Sequence, residues 1–544
     1  MRALFLNAPF KVEYGKFSKN SRSPAITKSG TNYFPVWLAY AAGVTEVAGH
    51  EVYLYDACAK RTPKAEMLSL IADFKPDLVV LDTSTPSLLS DIAFGASVKA
   101  QHPDSFVMLM GTHPSALPEE TLQFDAAIDA IARGEADFTV REAAEKLSGI
   151  QFQKLDAGKK IQLLQGIEGL SFQVAGKTYH NTARPQIQDL DSLPFVSQIY
   201  KKHLDVRDYF WASIDYPEIQ IMTARGCTDR CTFCVYPYAI HQLTYRMRSA
   251  KSVVDEFEWI ERNLPEVREV IIEDDTFGAS VKRVHEFCEE KMRRKIKLKW
   301  YAHVRCTLQL DSLKLMKKAG CPHLGTGYES ANQEVLDKMK KRLKVQSILD
   351  FSKNTKKAGI MVHGCFMVGN PGDTRSTLQE SLDFALKLRD DTMQFFPLMV
   401  YPGTPDYEWA KKNNLMTVKS YDQWVTEEGL HNSVVRMPDM DSREIVDWCD
   451  YARKKYYTRP GYLAYKAFQT LLRPAELKRN IRAGRRFVRF LLKGTFGRRN
   501  GFASTQSSRL NGAPCKTEFD HSYPQEAPVP KLVPRDFEKK EKAA

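Results

Sequence analysis

Short, largely apolar runs alternate with longer stretches of helical periodicity from residue 1 to about 150. Ala3 to Leu6, Glu51 to Tyr55, Leu78 to Leu81, Phe106 to Met110 and Ala127 to Ile131 predict buried strands, and Pro63 to Phe74 and Leu88 to Gln101 predict helices between them. That alternation predicts a doubly wound parallel sheet. Ligands of such sheets sit beyond the carboxyl ends of the strands. The polar loops Asp82-Thr83-Ser84-Thr85, Gly111-Thr112-His113-Pro114-Ser115 and Arg133-Gly134-Glu135-Ala136-Asp137 are therefore the candidate site. Residues 151–215 read as a connector carrying a hairpin, Leu170 to Val174 with its turn at Ala175-Gly176-Lys177, and a docking segment at Asp189 to Phe195.

The strand and helix alternation resumes over residues 216–415. Glu218 to Thr223, Glu269 to Glu273, Lys299 to His303, His323 to Gly327, Met361 to Val368 and Gln394 to Met399 predict six strands with helices between them, a parallel barrel or part-barrel. Chemistry in such barrels gathers at the strand C-termini. The pattern stops after about residue 416: Ser442 to Tyr457 predicts a helix, residues 416–495 read as a helical region, and 496–544, rich in Ser, Pro, Lys and Glu, as a disordered tail.

Length and polarity narrow the class. A chain of 544 residues exceeds one ordinary core, and with 43% hydrophobic residues it has ample material for several. Mean hydropathy is −0.40 and no uncharged apolar run approaches the roughly 20 residues of a membrane span, which sets aside a polytopic membrane protein. The opening Met1 to Pro9 is broken by Asn7 and Pro9 and followed by Lys11 and Glu13, so it reads as a buried first strand and not as a signal core. Ten cysteines in so long a chain suit a metal site and scattered thiols better than a disulfide framework.

Three of those cysteines concentrate the chemistry. Arg225-Gly226-Cys227-Thr228-Asp229-Arg230-Cys231-Thr232-Phe233-Cys234 sets Cys227, Cys231 and Cys234 at C-x3-C-x2-C spacing. Three thiolates on one loop can hold three irons of a cubane cluster and leave the fourth open. The alternative is structural zinc, which needs a fourth ligand such as His241 or Cys321, since no second C-x2-C pair exists.

With Phe233 before the last cysteine and an apolar segment ending at Gly226, this loop resembles the cluster loop of the radical S-adenosylmethionine (SAM) superfamily. The likeness continues in order through Ile271 to Phe277, Gly325 to Ser330, His363 to Thr374 and Val400 to Pro405, each at a predicted strand end. The resemblance implies a 4Fe-4S cluster on Cys227, Cys231 and Cys234, and SAM chelated at the open iron. It also implies a 5'-deoxyadenosyl radical that abstracts hydrogen from substrate and an electron donor such as flavodoxin or ferredoxin. It points to Asp274 and Asp275 for the methionine amine, with structural capping the alternative, and to Glu329 and Ser330 for the ribose. His303, Arg305, Tyr328 and Tyr401 are candidates for the cavity wall, core packing being the alternative for both tyrosines.

Residues 1–150 are similar to cobalamin-binding domains attached to such enzymes, which makes Ser84, Gly111 and Gly134 candidate cobalamin contacts. The D-x-H-x-x-G signature of many cobalamin domains is replaced by Asp56-Ala57-Cys58-Ala59-Lys60-Arg61, so no lower imidazole ligand is expected; a flavodoxin-like domain that has lost corrin is the alternative. Leu193-Pro194-Phe195-Val196, Tyr200-Lys201-Lys202 and Asp274-Asp275-Thr276-Phe277 resemble the branch holding the anaerobic magnesium-protoporphyrin ester cyclase and the hopanoid-biosynthesis enzymes. The likeness is greatest to the hopanoid enzyme proposed to contract a sugar ring into a cyclitol ether. The implied architecture is α/β, a cobalamin-binding-like sheet followed by a radical SAM (β/α)6 partial barrel and a C-terminal helical extension.

Charge adds one expectation. Of a formal net +13, the stretch Arg473 to Arg499 supplies +9, ten basic residues against one acidic. Between Leu471 and Lys493 the cations interleave with Leu477, Ile481, Val488 and Leu492, the pattern of an amphipathic helix lying on an anionic bilayer, with a solvated helix the alternative. RNA binding would place aromatics to stack bases, whereas Phe487 and Phe490 sit among aliphatics. Expected partners are thus a small-molecule or lipid substrate, an electron donor and a peripheral membrane surface, with a cytoplasmic location and no nucleic acid.

Overall fold

A computed structural model describes residues 1–472. Strands β1 (Arg2–Asn7), β2 (Glu51–Asp56), β3 (Leu78–Asp82), β4 (Phe106–Met110) and β5 (Ala130–Ala132) lie parallel in the order 2-1-3-4-5. Successive side chains leave a strand on opposite faces, and here both faces are covered. Leu4, Leu6, Val79, Leu81, Val107 and Leu109 enter one hydrophobic cluster, and Ala3, Phe5, Leu78, Val80, Phe106 and Met108 another. That is why the strands read as unbroken apolar runs. The fifth strand begins three residues after its expected start, because the Asp125 carboxylate accepts from the Ala127 N–H at 2.8 Å and closes a turn there.

The hairpin β6 (Leu170–Val174) and β7 (Lys177–His180) pairs antiparallel with β5 and extends the same sheet to seven strands. Positive φ at Ala175 (52°) and Gly176 (75°) gives the turn whose twist suits a two-residue hairpin. The segment expected as a connector therefore lends its first part to the N-terminal unit, which runs to His180.

In the second unit β8 (Glu218–Ile221) leads through β9 (Ala224–Gly226) and the cysteine loop to β10 (Tyr245–Met247), which pairs back on β9. Then follow β11 (Glu269–Ile272), β12 (Lys299–His303), β13 (His323–Glu329), β14 (Met361–Val368) and β15 (Thr392–Pro397). The parallel order is β8-β11-β12-β13-β14-β15, with β8 and β15 at the two edges, so the barrel stays open. The helix Ser442–Tyr457, started by a reciprocal Asp441 and Glu444 cap, packs Trp448 edge-on against Phe395 of β15. A last helix, Pro460–Leu472, follows it. The expected cationic helix beyond Leu472 and the tail lie outside the described residues.

Buried charge joins the two units. Arg225 of β9 makes a bidentate pair with Asp137 of the N-terminal unit (2.8 and 2.9 Å) and stacks on Trp37 and Tyr40. Beside it Glu135 accepts from Arg246 (2.7 and 2.9 Å) and from His241 Nδ1 (2.8 Å). Burial opposes ionisation of Glu135, yet Arg225, His241 and Arg246 hold its carboxyl well below the usual range.

Candidate active site

The cysteine loop turns at Gly226, where φ is +83° and a Cβ would overlap the Thr244 carbonyl, so only glycine lets the chain leave β9 in this direction. The loop is then tied from two sides: Thr232 donates its N–H to the Met339 carbonyl and accepts from the Asp406 N–H, both at 3.1 Å. Cys227, Cys231, Phe233 and Cys234 face one large cavity. Among the described residues no three His, Cys, Asp or Glu side chains gather as they would around a single ion. Cys321 lies at the entrance of β13 with its thiol donating to the His323 carbonyl, and His241 is engaged by Glu135. Neither proposed fourth zinc ligand lines this cavity. Burial pushes the Cys227 thiol up to about 11 and Cys231 to about 12. Loading iron must therefore displace protons.

Acidic residues at the ends of β11 and β13 complete the polar end of this cavity, and they divide sharply. Asp275 lines it with Oδ2 unpartnered, 3.5 Å from His241 Nε2. Asp274 does not line it. Its carboxylate accepts from the Thr223 and Ala224 N–H groups (2.6 and 2.9 Å) and the Thr223 hydroxyl (2.6 Å), and it faces Arg283. Of the two aspartates expected to meet the amine, only Asp275 faces the cavity, and Asp274 is a buried cap for the strand end before the cysteine loop. Glu329 and Ser330 divide in the same way. Glu329 lines the cavity, pairs with Lys341 at 2.9 Å and keeps Oε2 unpartnered. Ser330 is buried off the cavity, accepting from the Asn332 N–H. A bulge between Gly327 and Glu329, with Glu329 at φ +64°, re-aims that one side chain.

Of the other candidates, His303, Arg305 and Tyr401 line the cavity, whereas Tyr328 is core, its hydroxyl donating to Asp390 at 2.6 Å. Arg22 was not foreseen from the sequence. It comes from the long stretch between β1 and the helix Val36–Val47, crosses to the second unit, and binds Glu273 (2.5 Å), the Asp274 carbonyl (2.9 Å) and Asp275 (3.4 Å). The available signal was length, since a connection this long without regular structure is usually functional.

At the carboxyl ends of β3, β4 and β5 the structure brings Ser84, Gly111 and Gly134 together around a second void. Gly111, at φ +117°, passes so near Thr83 that a Cβ would lie 2.4 Å from its carbonyl. Asn20 Oδ1 is buried without a hydrogen-bond partner. The void holds only about 20 Å³, room for roughly one water. Residues 18–21 take the remaining space: Lys19 is buried against Asp91 (2.5 Å) and the Asp82 carbonyl (3.3 Å), and Asn20 against Asp82. Cys58, at the expected histidine position, points its thiol at the Ala8 carbonyl.

Residues 221–385 match the Radical SAM superfamily and residues 22–144 the B12 binding domain. The chain is a radical SAM protein with a B12-binding domain. It is similar to an uncharacterized methyltransferase of Pyrococcus horikoshii, 29% identical over 441 residues that cover 81% of this chain and 91% of that protein. It is also similar to the anaerobic magnesium-protoporphyrin IX monomethyl ester cyclase of Rubrivivax gelatinosus, at 26% over 80% and 75% of the two chains. A third relative is the hopanoid C-3 methylase of Methylococcus capsulatus, at 21% over 71% and 70%. The fold matches that of the radical SAM methyltransferase TsrM from Kitasatospora setae, solved with cobalamin and a [4Fe-4S] cluster (TM-score 0.61, 17% identity, 85% and 91% of the chains).

The residues of the radical SAM core fit the groups that the superfamily implies. Three thiols share the cavity with two buried acidic oxygens that lack donors, on Asp275 and Glu329, and these suit an ammonium and a hydroxyl. The B12-binding domain fits its group in kind, through glycines and an orphaned acceptor, but not in room. Corrin enters there only if residues 18–21 move aside.

Proposed function

We propose that this radical SAM enzyme modifies a lipid or lipid-linked substrate, by C-methylation or by ring or skeletal rearrangement, with hopanoid-type cyclitol formation the favoured case. The observation that carries the reading is the shape of the cavity. It encloses about 920 Å³ and runs from the cysteine loop to the last helix. Its wall is mostly apolar, with Ile26, Phe396, Met399, Leu430 and Val446 among the lining residues, and carries polar groups that include Arg22, Asp275, His303, Glu329 and Lys341. A cavity of this size, largely apolar with a few polar groups, suits an amphiphile.

When bound, the cluster supplies the electron, drawn from flavodoxin or ferredoxin, that cleaves SAM to the hydrogen-abstracting radical. The chain's own residues bind and orient. Asp275 receives the methionine amine and Glu329 a ribose hydroxyl, while Arg22 and Lys341 fix those two carboxylates from the side. Aromatic and methionine side chains exclude water around the reacting carbon.

The test is anaerobic reconstitution with iron, sulfide and SAM, incubation with a bacterial lipid extract, and mass analysis of products. A lipid gaining one CH2 marks methylation, and a lipid of altered retention and fragmentation without that gain marks rearrangement. Turnover of a magnesium porphyrin ester with no change in any lipid would replace this reading by tetrapyrrole chemistry.

A further inference from the structure

The helix Pro460–Leu472 has its polarity turned inside out. At 3.6 residues per turn, Leu463, Ala464, Ala467, Phe468 and Leu471 share one face, and Tyr462, Tyr465, Lys466 and Gln469 the other. The polar face is the one that packs, with Tyr465 at its edge 44% exposed. Tyr462 donates its hydroxyl to the Asp391 carbonyl (3.0 Å), Tyr465 donates to the Asp391 carboxylate (2.6 Å), and Lys466 Nζ lies 3.9 Å from that same carboxylate. Gln469 is buried, its amide 3.1 Å from Met361 Sδ. The apolar face looks outward, with Leu463 55%, Phe468 61% and Leu471 78% exposed. Surface helices ordinarily do the reverse, and clustered exposed apolar side chains mark an interaction surface. Leu463 of the apolar face also lines the large cavity, as do Tyr462 and Lys466 of the packed face, so the helix forms part of the cavity wall.

We propose that this face docks on an anionic bilayer and that the cavity opens through it to an amphiphile held in the membrane. The inference rests on the lipid reading above and adds the surface and route by which the substrate arrives. Charge selects the occupant. The sequence from Arg473 to Arg499, next in the chain, carries ten basic residues and one acidic. A bilayer of anionic lipid meets the apolar helix face and the adjoining cations together, whereas a second copy on this face would bring two such positive segments against one another.

The experiment uses the full-length reconstituted protein and vesicles of equal parts phosphatidylcholine and phosphatidylglycerol. The double variant Phe468→Ser/Leu471→Ser should keep the cluster absorbance and melting temperature of the wild type. Its partition onto vesicles should fall roughly tenfold or more, because apolar burial is a main part of interfacial affinity, and what remains should be abolished by high salt. Phe468→Trp, read as its difference emission from wild type, should shift to the blue on adding vesicles and be quenched by brominated lipid. Unchanged partition of the double variant overturns the proposal. So does a change in its oligomeric state, which assigns the face to a second copy, or a Phe468→Trp difference emission already blue-shifted without vesicles, which assigns it to the chain's own tail. The lipid reading fails separately. In that case docking persists but only a water-soluble substrate is turned over, whereas a double variant that turns over detergent-dispersed lipid and ignores vesicles supports both.

Discussion

Asp274 and Asp275 are neighbours in sequence with opposite surroundings, and substitution should separate them. Asp274→Asn leaves an amide facing two backbone N–H groups and strips the buried Arg283 of its carboxylate. A buried charge that loses its partner costs about 3–5 kcal/mol, so this variant should show a clearly lowered denaturation midpoint. Asp275→Asn should melt like the wild type, load iron normally, and need roughly tenfold more SAM for half-maximal 5'-deoxyadenosine formation, since one charge-assisted hydrogen bond is lost. A second residue-scale effect follows pH. Burial lowers His431, which donates from Nε2 to the Ser23 carbonyl, to about 4, and lowers His113 to about 3. The unfolded imidazole titrates near 6.5, so between pH 6.5 and 4 the unfolded state binds the proton and the folded state does not. Each histidine therefore withdraws stability as pH falls through that window, by up to about 1.4 kcal/mol per unit. Urea midpoints of His431→Gln should fall less steeply from pH 6.5 to 4 than those of the wild type.

At the scale of elements, the turn out of β9 and the bulge in β13 decide where the reactive side chains point. Gly226→Ala asks an L-residue to hold a left-handed backbone against the Thr244 carbonyl, costing roughly 1–2 kcal/mol before the clash is counted. The turn sits one residue before Cys227. Iron content after reconstitution should fall well below one cluster per chain while the far-UV spectrum stays native. Cys231→Ala, which removes one ligand and leaves the turn, should abolish both the cluster's visible absorbance and 5'-deoxyadenosine formation. A normal cluster in the triple alanine variant of Cys227, Cys231 and Cys234 would refute the ligand set.

Across the whole molecule, the buried network of Glu135, Arg225, Arg246, His241 and Asp137 couples the two units and ends at Asp275 of the cavity. Glu135→Gln removes the one carboxylate shared by Arg246 and His241 and should cost about 3–5 kcal/mol. Scanning calorimetry should then resolve the N-terminal unit as a separate, earlier transition where the wild type shows one. An unchanged single transition would mean that apolar packing, not this network, carries the coupling.

The amino-acid sequence determined what depends on local order. Short, largely apolar runs separated by helical stretches placed the strands of both sheets to within a few residues, because a strand covered on both faces carries few polar positions to blur it. The C-x3-C-x2-C spacing placed three thiols on one loop for the same reason, that eight residues cannot stray far apart. Only the tertiary structure decided which of two adjacent carboxylates faces the cavity. A bulge and a crossing arginine set that, and neither leaves a periodicity in the chain. It also decided that Lys19 and Asn20 fill the strand ends of the B12-binding domain, and that the helix Pro460–Leu472 turns its apolar face outward. Sequence gives the period of an amphipathic helix, but which face is inside depends on what it packs against, here the carboxylate and carbonyl of Asp391.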